Sequence, residues 1–298
     1  MPHILTLIAP PGGLSAAHLS PVRAALTALG AECGCPDWLS PEEAADLPFT
    51  DLSPDQASAA ARATLGEAAV DAVALPEEGR RKRLLLADMD STIVTTETLD
   101  ELAAFAGLKE RIAAITARAM NGELDFKAAL RERVGMLAGL PVTALERTWE
   151  ETVLTPGAAE LVATMRAHGA HCALVSGGFT FFTGRVAALV GFHDHYSNTL
   201  LVEDGKLTGK VAEPILDKDA KLASLKRLAT ELGLPLAATL TVGDGANDLP
   251  MLQAAGLGVA FRAKPVVAAA ARARVDHAGL RALLFMQGYR AAEIRATL

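Results

Sequence analysis

Four apolar residues, Leu84-Leu85-Leu86-Ala87, run directly into Asp88-Met89-Asp90-Ser91-Thr92. A short unbroken apolar run of this kind predicts a strand buried on both faces, as in the interior of a parallel sheet. Its polar carboxyl end falls where open α/β sheets bind ligands. Side chains alternate along an extended chain, so Asp88 and Asp90 project to one side if the strand continues through Met89. Two carboxylates on one side of a buried strand end repel each other. A hard divalent cation with oxygen ligands relieves that repulsion. A strand closing in a polar turn with incidental aspartates has the same local sequence, so other stretches must decide.

Three later stretches do. Cys172-Ala173-Leu174-Val175 predicts a second buried strand, ending in Ser176-Gly177-Gly178, where a hydroxyl and two glycines let backbone N–H groups approach an anion. Thr239-Leu240-Thr241-Val242 predicts a third, ending in Gly243-Asp244-Gly245-Ala246-Asn247-Asp248. Asp244 and Asp248, four apart at a predicted helix start, face the same way. Lys221 falls in the first turn of a helix predicted over 219–230, a position electrostatically unfavourable for a cation and therefore a functional candidate. Strands at 257–261 and 274–277 complete a five-stranded, doubly wound parallel α/β sheet, whose strands share one carboxyl edge. Carboxylates for a magnesium ion, a hydroxyl and a lysine for phosphate oxygens, and a carboxylate nucleophile would meet there. That constellation suits phosphoryl transfer through an aspartyl-phosphate. The Gly-x-x-x-x-Gly-Lys-Ser/Thr phosphate loop is absent, which disfavours a P-loop nucleotide hydrolase.

The rest of the chain sets boundaries. Hydrophobic residues at 51% and charged residues at 21% indicate a globular protein, and a net charge of -7 argues against a nucleic-acid partner. Cys33, Cys35 and Cys172 make no disulfide framework, which fits a reducing cytoplasm. Cys33-Gly34-Cys35 lacks the two-residue spacer and second pair of a zinc site. There is no uninterrupted apolar span of membrane length and no basic leader, so a soluble, unexported chain without membrane contact is expected.

Residues 1–78 read as a small α/β accessory domain, strongly acidic and without lysine. Strands are expected at 3–9 and 70–75. Helices are expected to begin at Ser20-Pro21, Ser40-Pro41-Glu42-Glu43 and Ser53-Pro54-Asp55-Gln56, each a cap followed by proline at the first helical position. Arg80-Arg81-Lys82-Arg83 is a solvated lead into the central strand rather than a nucleic-acid patch. Within the core, 79–298, helices at 98–105, 108–120, 125–137 and 141–151 form an insertion of about 98–152 placed as a lid. Glu203-Asp204-Gly205 turns a hairpin between 198–202 and 206–211. His193-Asp194-His195 is expected in a surface turn.

Taken in order, Asp88-Met89-Asp90-Ser91-Thr92, Ser176-Gly177-Gly178, Lys221 and Gly243-Asp244-Gly245-Ala246-Asn247-Asp248 resemble the four motifs of the haloacid dehalogenase superfamily. With the helical cap and the hairpin, the stretch from about 83 to 285 resembles the phosphoserine phosphatase branch, and residues 1–78 resemble the ACT-like domains of some bacterial relatives. The resemblance implies a HAD-like (Rossmannoid) fold, magnesium as cofactor, phosphoserine as small-molecule substrate, and a homodimer formed through the first domain. It implies that Asp88 is the nucleophile and Asp90 the acid and base, with Asp88, the Asp90 carbonyl and Asp244 on the metal and Asp248 supporting them. Ser176, Gly177 and Lys221 would hold the phosphoryl oxygens, with Asn247 orienting them. Glu97 would meet the substrate ammonium, Arg133 its carboxylate, and Met120 and Phe126 would close over the site. Two rivals stand beside this reading: another phosphomonoesterase or phosphotransferase of the superfamily, and a non-catalytic amino-acid-binding regulator. Glu97 and Arg133 suit a zwitterion and argue against the first; the intact nucleophile and metal residues argue against the second.

Overall fold

The computed structural model describes residues 2–121 and 123–297. The chain begins with β1 (His3–Ile8), α1 (Ala16–Ala28), β2 (Glu32–Cys33), β3 (Asp37–Ser40), β4 (Ala44–Thr50), α2 (Pro54–Leu65) and β5 (Asp71–Pro76). The strands form an antiparallel sheet in the order β2-β4-β1-β5, with β3 also on β4. Counting β2 and β3 as one interrupted strand, this is a β-α-β-β-α-β unit. Leu5, Leu7, Leu47 and Phe49 share one core with Leu19, Val22 and Leu26 of α1 and Ala57 and Ala61 of α2.

Several local readings are corrected here. The first helix starts at Ala16, capped by extended Ser15, whose N–H donates to His18 Nδ1 at 3.2 Å; Pro21 therefore lies inside the helix, not at its start. Ser40-Pro41-Glu42-Glu43 begins no helix. Ser40 Oγ does donate to Glu43 Oε2, at 2.9 Å, but within a turn that joins β3 to β4, with Glu42 at φ 55°. The third expected start is as read: Ser53 Oγ accepts from Gln56 N and the two residues close a capping box.

Two compact units organise the whole chain. The first gathers Met1–Arg83, Pro156–Ala170 and Arg272–Leu298; the second gathers Leu84–Thr155 and His171–Ala271. In the first unit, the Asp71 carboxylate accepts the backbone N–H groups of Asp276, His277 and Ala278, tying the carboxyl-terminal segment to β5. Arg80 makes a two-pronged pair with Asp46, at 2.7 and 3.0 Å, and donates to the backbone oxygens of Phe285 and Met286.

The second unit opens with β6 (Leu84–Ala87), fully buried as the apolar run predicts. Four cap helices follow: α3 (Thr98–Ala104), α4 (Lys109–Met120), α5 (Phe126–Gly135) and α6 (Thr143–Glu150). After α7 (Ala158–Ala167), which belongs to the first unit, come β7 (His171–Phe179), α8 (Thr180–Val190), β8 (Asp194–Asn198), β9 (Leu200–Glu203), β10 (Lys206–Val211), α9 (Lys218–Glu231), β11 (Thr239–Gly243), α10 (Leu249–Ala254) and β12 (Leu257–Phe261). The parallel strands run β12-β11-β6-β7-β8. Leu84 and Leu86 pack with Leu225, Leu228 and Met251 from α9 and α10. Strand β8 was not expected: His193-Asp194-His195 leads into it rather than forming a surface turn, because Ala173, Leu174 and Val175 pair with Asp194, His195 and Tyr196. The stretch expected at 274–277 is the three-residue β13 (Ala273–Val275), grouped with the first unit.

The hairpin β9–β10 turns at Asp204 and Gly205, both at positive φ (49° and 73°), the geometry that the Asp-Gly pair favours. It is bonded to the cap, since Gly139 N donates to Leu207 O and Leu207 N to Leu140 O. Among the described residues no helix is long and apolar enough to cross a membrane.

The Arg80–Asp46 pair is largely buried, so removing one partner strands the other's charge. Asp46→Ala should lower stability by about 3–5 kcal/mol in urea unfolding. A loss below about 1 kcal/mol would mean that the pair behaves as an exposed one.

Candidate active site

Sheet register assembles the site. Ala87 pairs with Val242 on one side and Leu174 on the other, so the next residues of all three strands emerge together at one edge. Asp88 N still donates to Val242 O, at 3.0 Å, which holds Asp88 extended. Asp90 is extended too (φ -64°, ψ 138°), and the chain then turns at Ser91 (φ 51°). Both carboxylates consequently line one cavity.

Behind Asp88 lies a buried charge cluster. Lys221 Nζ is 2.8 Å from Asp88 Oδ2 and 2.6 Å from Asp248 Oδ1. Asp248 Oδ2 accepts the N–H groups of Asp244 and Gly245, at 3.1 and 3.0 Å. The segment 244–248 is therefore a loop that Asp248 folds back upon, and helix α10 begins only at Leu249; the expected helical spacing of the two aspartates is replaced by this carboxylate-capped turn. A side chain on Gly243 would collide with the Asp248 carboxylate. Lys221 stands one turn into α9, whose start is capped by Asp217. Its unfavourable helix-end position is offset by two direct carboxylate partners, which raise its pKa despite burial.

The ammonium pairs with two carboxylates, and a third lies beside them. Oxygens of Asp88, Asp244 and Asp248 lie within 4.8 Å of one another. Asp244 Oδ2 is buried and has no hydrogen-bond partner among the described residues. Burial, and then the Asp248 charge, pushes Asp88 well above the ordinary carboxylate range, with Lys221 opposing. Burial and the charges of Glu97, Asp248 and Asp88 push Asp244 up as well. An orphaned oxygen, an all-oxygen donor set and an excess of negative charge fit a hard divalent cation.

In front of Asp88 lies a small cavity of about 50 Å³. Asp90, Glu97, Phe126, Arg133, Ser176, Gly177 and Asn247 line it with Asp88. Ser176 Oγ donates to Asp90 Oδ2 at 3.2 Å and accepts from Gly178 N at 2.8 Å. Asp90 Oδ1 accepts the N–H of Thr98. Ser91 Oγ donates to Glu97 Oε1 at 2.6 Å. Desolvation in the cleft, followed by the Asp90 charge, pushes Glu97 up to about 7. Phe126 sits so close to Gly177 that a Cβ there would lie 2.7 Å from the ring's Cζ. Asn247 Oδ1 is a buried acceptor without a partner among the described residues. The Met120 side chain lies outside the described residues. Lys221, Asp244 and Asp248 do not line the cavity; they reach it through Asp88.

Sequence reasoning missed Ser91, Asp100, Thr116 and the Thr98 N–H. The last has a signal: Glu97 is the cap residue of α3, so free amide N–H groups belong immediately after it.

A doubly wound sheet with a cap inserted after its first strand, and a carboxylate-rich cleft at its carboxyl edge, defines a class of hydrolases with an aspartate at the end of that strand. The haloacid dehalogenase-like hydrolase family model matches residues 85–253, and the chain belongs to that family. It is 44% identical over 217 residues to a phosphoserine phosphatase of Streptomyces coelicolor, covering 73% of this chain and 53% of that one. It is 45% identical over 203 residues to the phosphoserine phosphatase of Lactococcus lactis, covering 68% and 94% respectively. The chain thus spans about half the length of the first relative and nearly all of the second. A solved haloacid dehalogenase family hydrolase of Salmonella enterica serovar Typhi superposes with a TM-score of 0.81 at 30% identity, over 95% of this chain and 98% of that one.

A carboxyl with a raised pKa binds its proton more tightly in the folded chain. Its contribution to stability is therefore present at low pH and falls as pH rises from the unfolded carboxylate range, about 4, through the raised folded value. Without a divalent cation, Asp244→Asn should flatten that fall and exceed the wild type in stability at neutral pH, while losing the stabilisation that a divalent cation adds. Urea unfolding at about pH 5 and about pH 8, with and without the cation, measures both. An Asp244→Asn protein less stable than the wild type in chelator at the higher pH would overturn the charge imbalance.

Proposed function

We propose that this chain is a cytoplasmic phosphoserine phosphatase, hydrolysing O-phospho-L-serine to L-serine and phosphate with magnesium as the last step of serine biosynthesis. The observation that carries the reading is the lining of one cavity: a strand-end aspartate, a serine and two glycines at the end of β7, and Glu97 with Arg133 on the cap side. The relatives that bear this activity in their names support it.

In the first step an Asp88 oxygen attacks phosphorus and the bond from phosphorus to the serine oxygen breaks. Asp90 gives its proton to that departing oxygen. Desolvation raises the Asp90 pKa, which suits it to hold a proton for delivery. In the second step the Asp90 carboxylate takes a proton from water as the water oxygen attacks phosphorus. The bond from phosphorus to Asp88 breaks, and phosphate leaves. Lys221, paired with Asp88, favours the ionised nucleophile, and with the Ser176 hydroxyl and the Gly177 amide it balances charge on the transferring oxygens. Asn247, whose carbonyl oxygen has no hydrogen-bond partner among the described residues, orients the transferring oxygens or the substrate. Asp88, Asp244, the Asp90 carbonyl and the supporting Asp248 would hold magnesium, which when bound neutralises charge on the phosphoryl oxygens.

Selection falls to the cap. Glu97, whose pKa is raised by burial and then by the Asp90 charge, receives the substrate ammonium. Arg133 offers a planar fork to the carboxylate. Phe126, on the cavity wall, covers the bound ester. The β-α-β-β-α-β start of the first unit supports reading 1–78 as an ACT-like accessory domain that precedes the catalytic residues in the sequence.

Phosphate release from phosphoserine tests the reading: it should stop in chelator and return with magnesium. Asp88→Asn should fall below about a hundredth of wild-type turnover, since an amide is a poor nucleophile. Substantial turnover in chelator or in Asp88→Asn would refute the mechanism. For selection, the kcat/KM ratio of phosphoserine over phosphoethanolamine, which lacks the carboxylate, should drop in Arg133→Ala by about thirtyfold or more, as expected for loss of a buried charge partner. An unchanged ratio would remove Arg133 from recognition.

A further inference from the structure

Arg133 is a buried guanidinium without a direct carboxylate salt bridge among the described residues. Its Nε donates to Ala129 O, one turn back on α5, at 3.2 Å. Its Nη1 donates to Thr116 Oγ1, on α4, at 2.9 Å. Thr116 Oγ1 in turn lies 2.7 Å from Asp100 Oδ1, on α3. A hydroxyl has one proton and two lone pairs. It accepts from the guanidinium, so its own proton goes to the carboxylate; the Ile112 oxygen, at 3.1 Å, is the longer alternative. Three cap helices thus contribute one residue each to an Asp100–Thr116–Arg133 chain. Thr116 and Arg133 both line the cavity, and Asp100 does not.

We infer that Thr116 is a positioning residue for substrate selection: it aims the Arg133 guanidinium into the cavity and lets Asp100 compensate its charge without occupying its fork. This rests on the proposal that Arg133 receives the substrate carboxylate. The physical case is geometric. A carboxylate in direct contact with Arg133 would compete with the substrate for the same two-pronged face. Interposing a hydroxyl keeps the counter-charge close and leaves Nη2 without a hydrogen bond among the described residues. With Nε and Nη1 fixed, the plane of the guanidinium is fixed, so less freedom is lost when substrate binds. Thr116 is 3% exposed, and a valine has nearly its shape, so the hydroxyl can be removed with little change in packing.

The experiment compares KM and kcat for phosphoserine and phosphoethanolamine in wild type, Thr116→Val, Thr116→Ser and Arg133→Ala, and in Arg133→Ala carrying Thr116→Val. Thr116→Val should raise KM for phosphoserine by about tenfold, corresponding to one lost hydrogen bond to a charged group, with a much smaller change for phosphoethanolamine and in kcat. Thr116→Ser, which restores the hydroxyl, should recover most of the loss. In the Arg133→Ala background the valine should add no further loss of selectivity, because the two residues act as one unit. Equal losses on both substrates, failure of serine to rescue, or additive effects in the double variant would each overturn the inference. A wild type that does not prefer phosphoserine would remove the functional reading and the inference with it. A wild-type preference that Thr116→Val leaves intact removes the inference alone.

Discussion

Three neighbouring buried carboxylates, two of them paired with the Lys221 ammonium, are the constraint on which the site depends. Asp88, Asp244 and Asp248 are almost fully buried, and so is Lys221. Water cannot screen them there, so each charge must be met by another charge or by N–H groups. Asp248 is met on both oxygens, by Lys221 and by two backbone amides. Asp88 is met by Lys221 and by its neighbour's amide. Asp244 is left short. Such a cluster is a poor route to stability, and its excess of negative charge fits a bound cation.

The fold's contribution is alignment. β6, β7 and β11 are parallel, and Ala87 lies opposite Leu174 and Val242, so residues 88, 176 and 244 fall within a residue or two of one another along the shared edge. The cap supplies the other half of the site from helices α3, α4 and α5, which carry no register relation to the sheet. That division explains the chemistry as well. On the proposed reading, the sheet edge holds groups that act on any phosphoryl group, whereas the cap holds those that distinguish one ester from another.

The same division governs what the sequence made legible. Asp88, Asp90, Ser176, Asp244 and Asp248 follow buried apolar strands within a few positions, so a run of Leu, Val and Ala announces them. Thr116 and Asp100 meet across sixteen residues on different helices, and nothing in a helical pattern separates a threonine that bridges two charges from one that caps a turn. The first unit was harder for another reason. β4 contains Pro48, a residue that normally argues against an interior strand. Pro48 O accepts from Gly34 N, so the proline nitrogen faces that same side, where β2 has already ended at Cys33. The missing N–H therefore interrupts no ladder, a fact that only the register reveals. Ser40-Pro41-Glu42-Glu43 misled because a serine bonded to a glutamate three residues on serves a tight turn as well as a helix start.

Gly177 shows how closely the two halves are fitted. Its amide belongs to the sheet edge, but the space above it belongs to the Phe126 ring at the start of α5. The smallest side chain placed there would act as a doorstop, holding the first turn of that helix away from the end of β7. The constraint on this glycine is then as much about sealing as about binding, and a residue that lacks a side chain sets how tightly the chamber can shut.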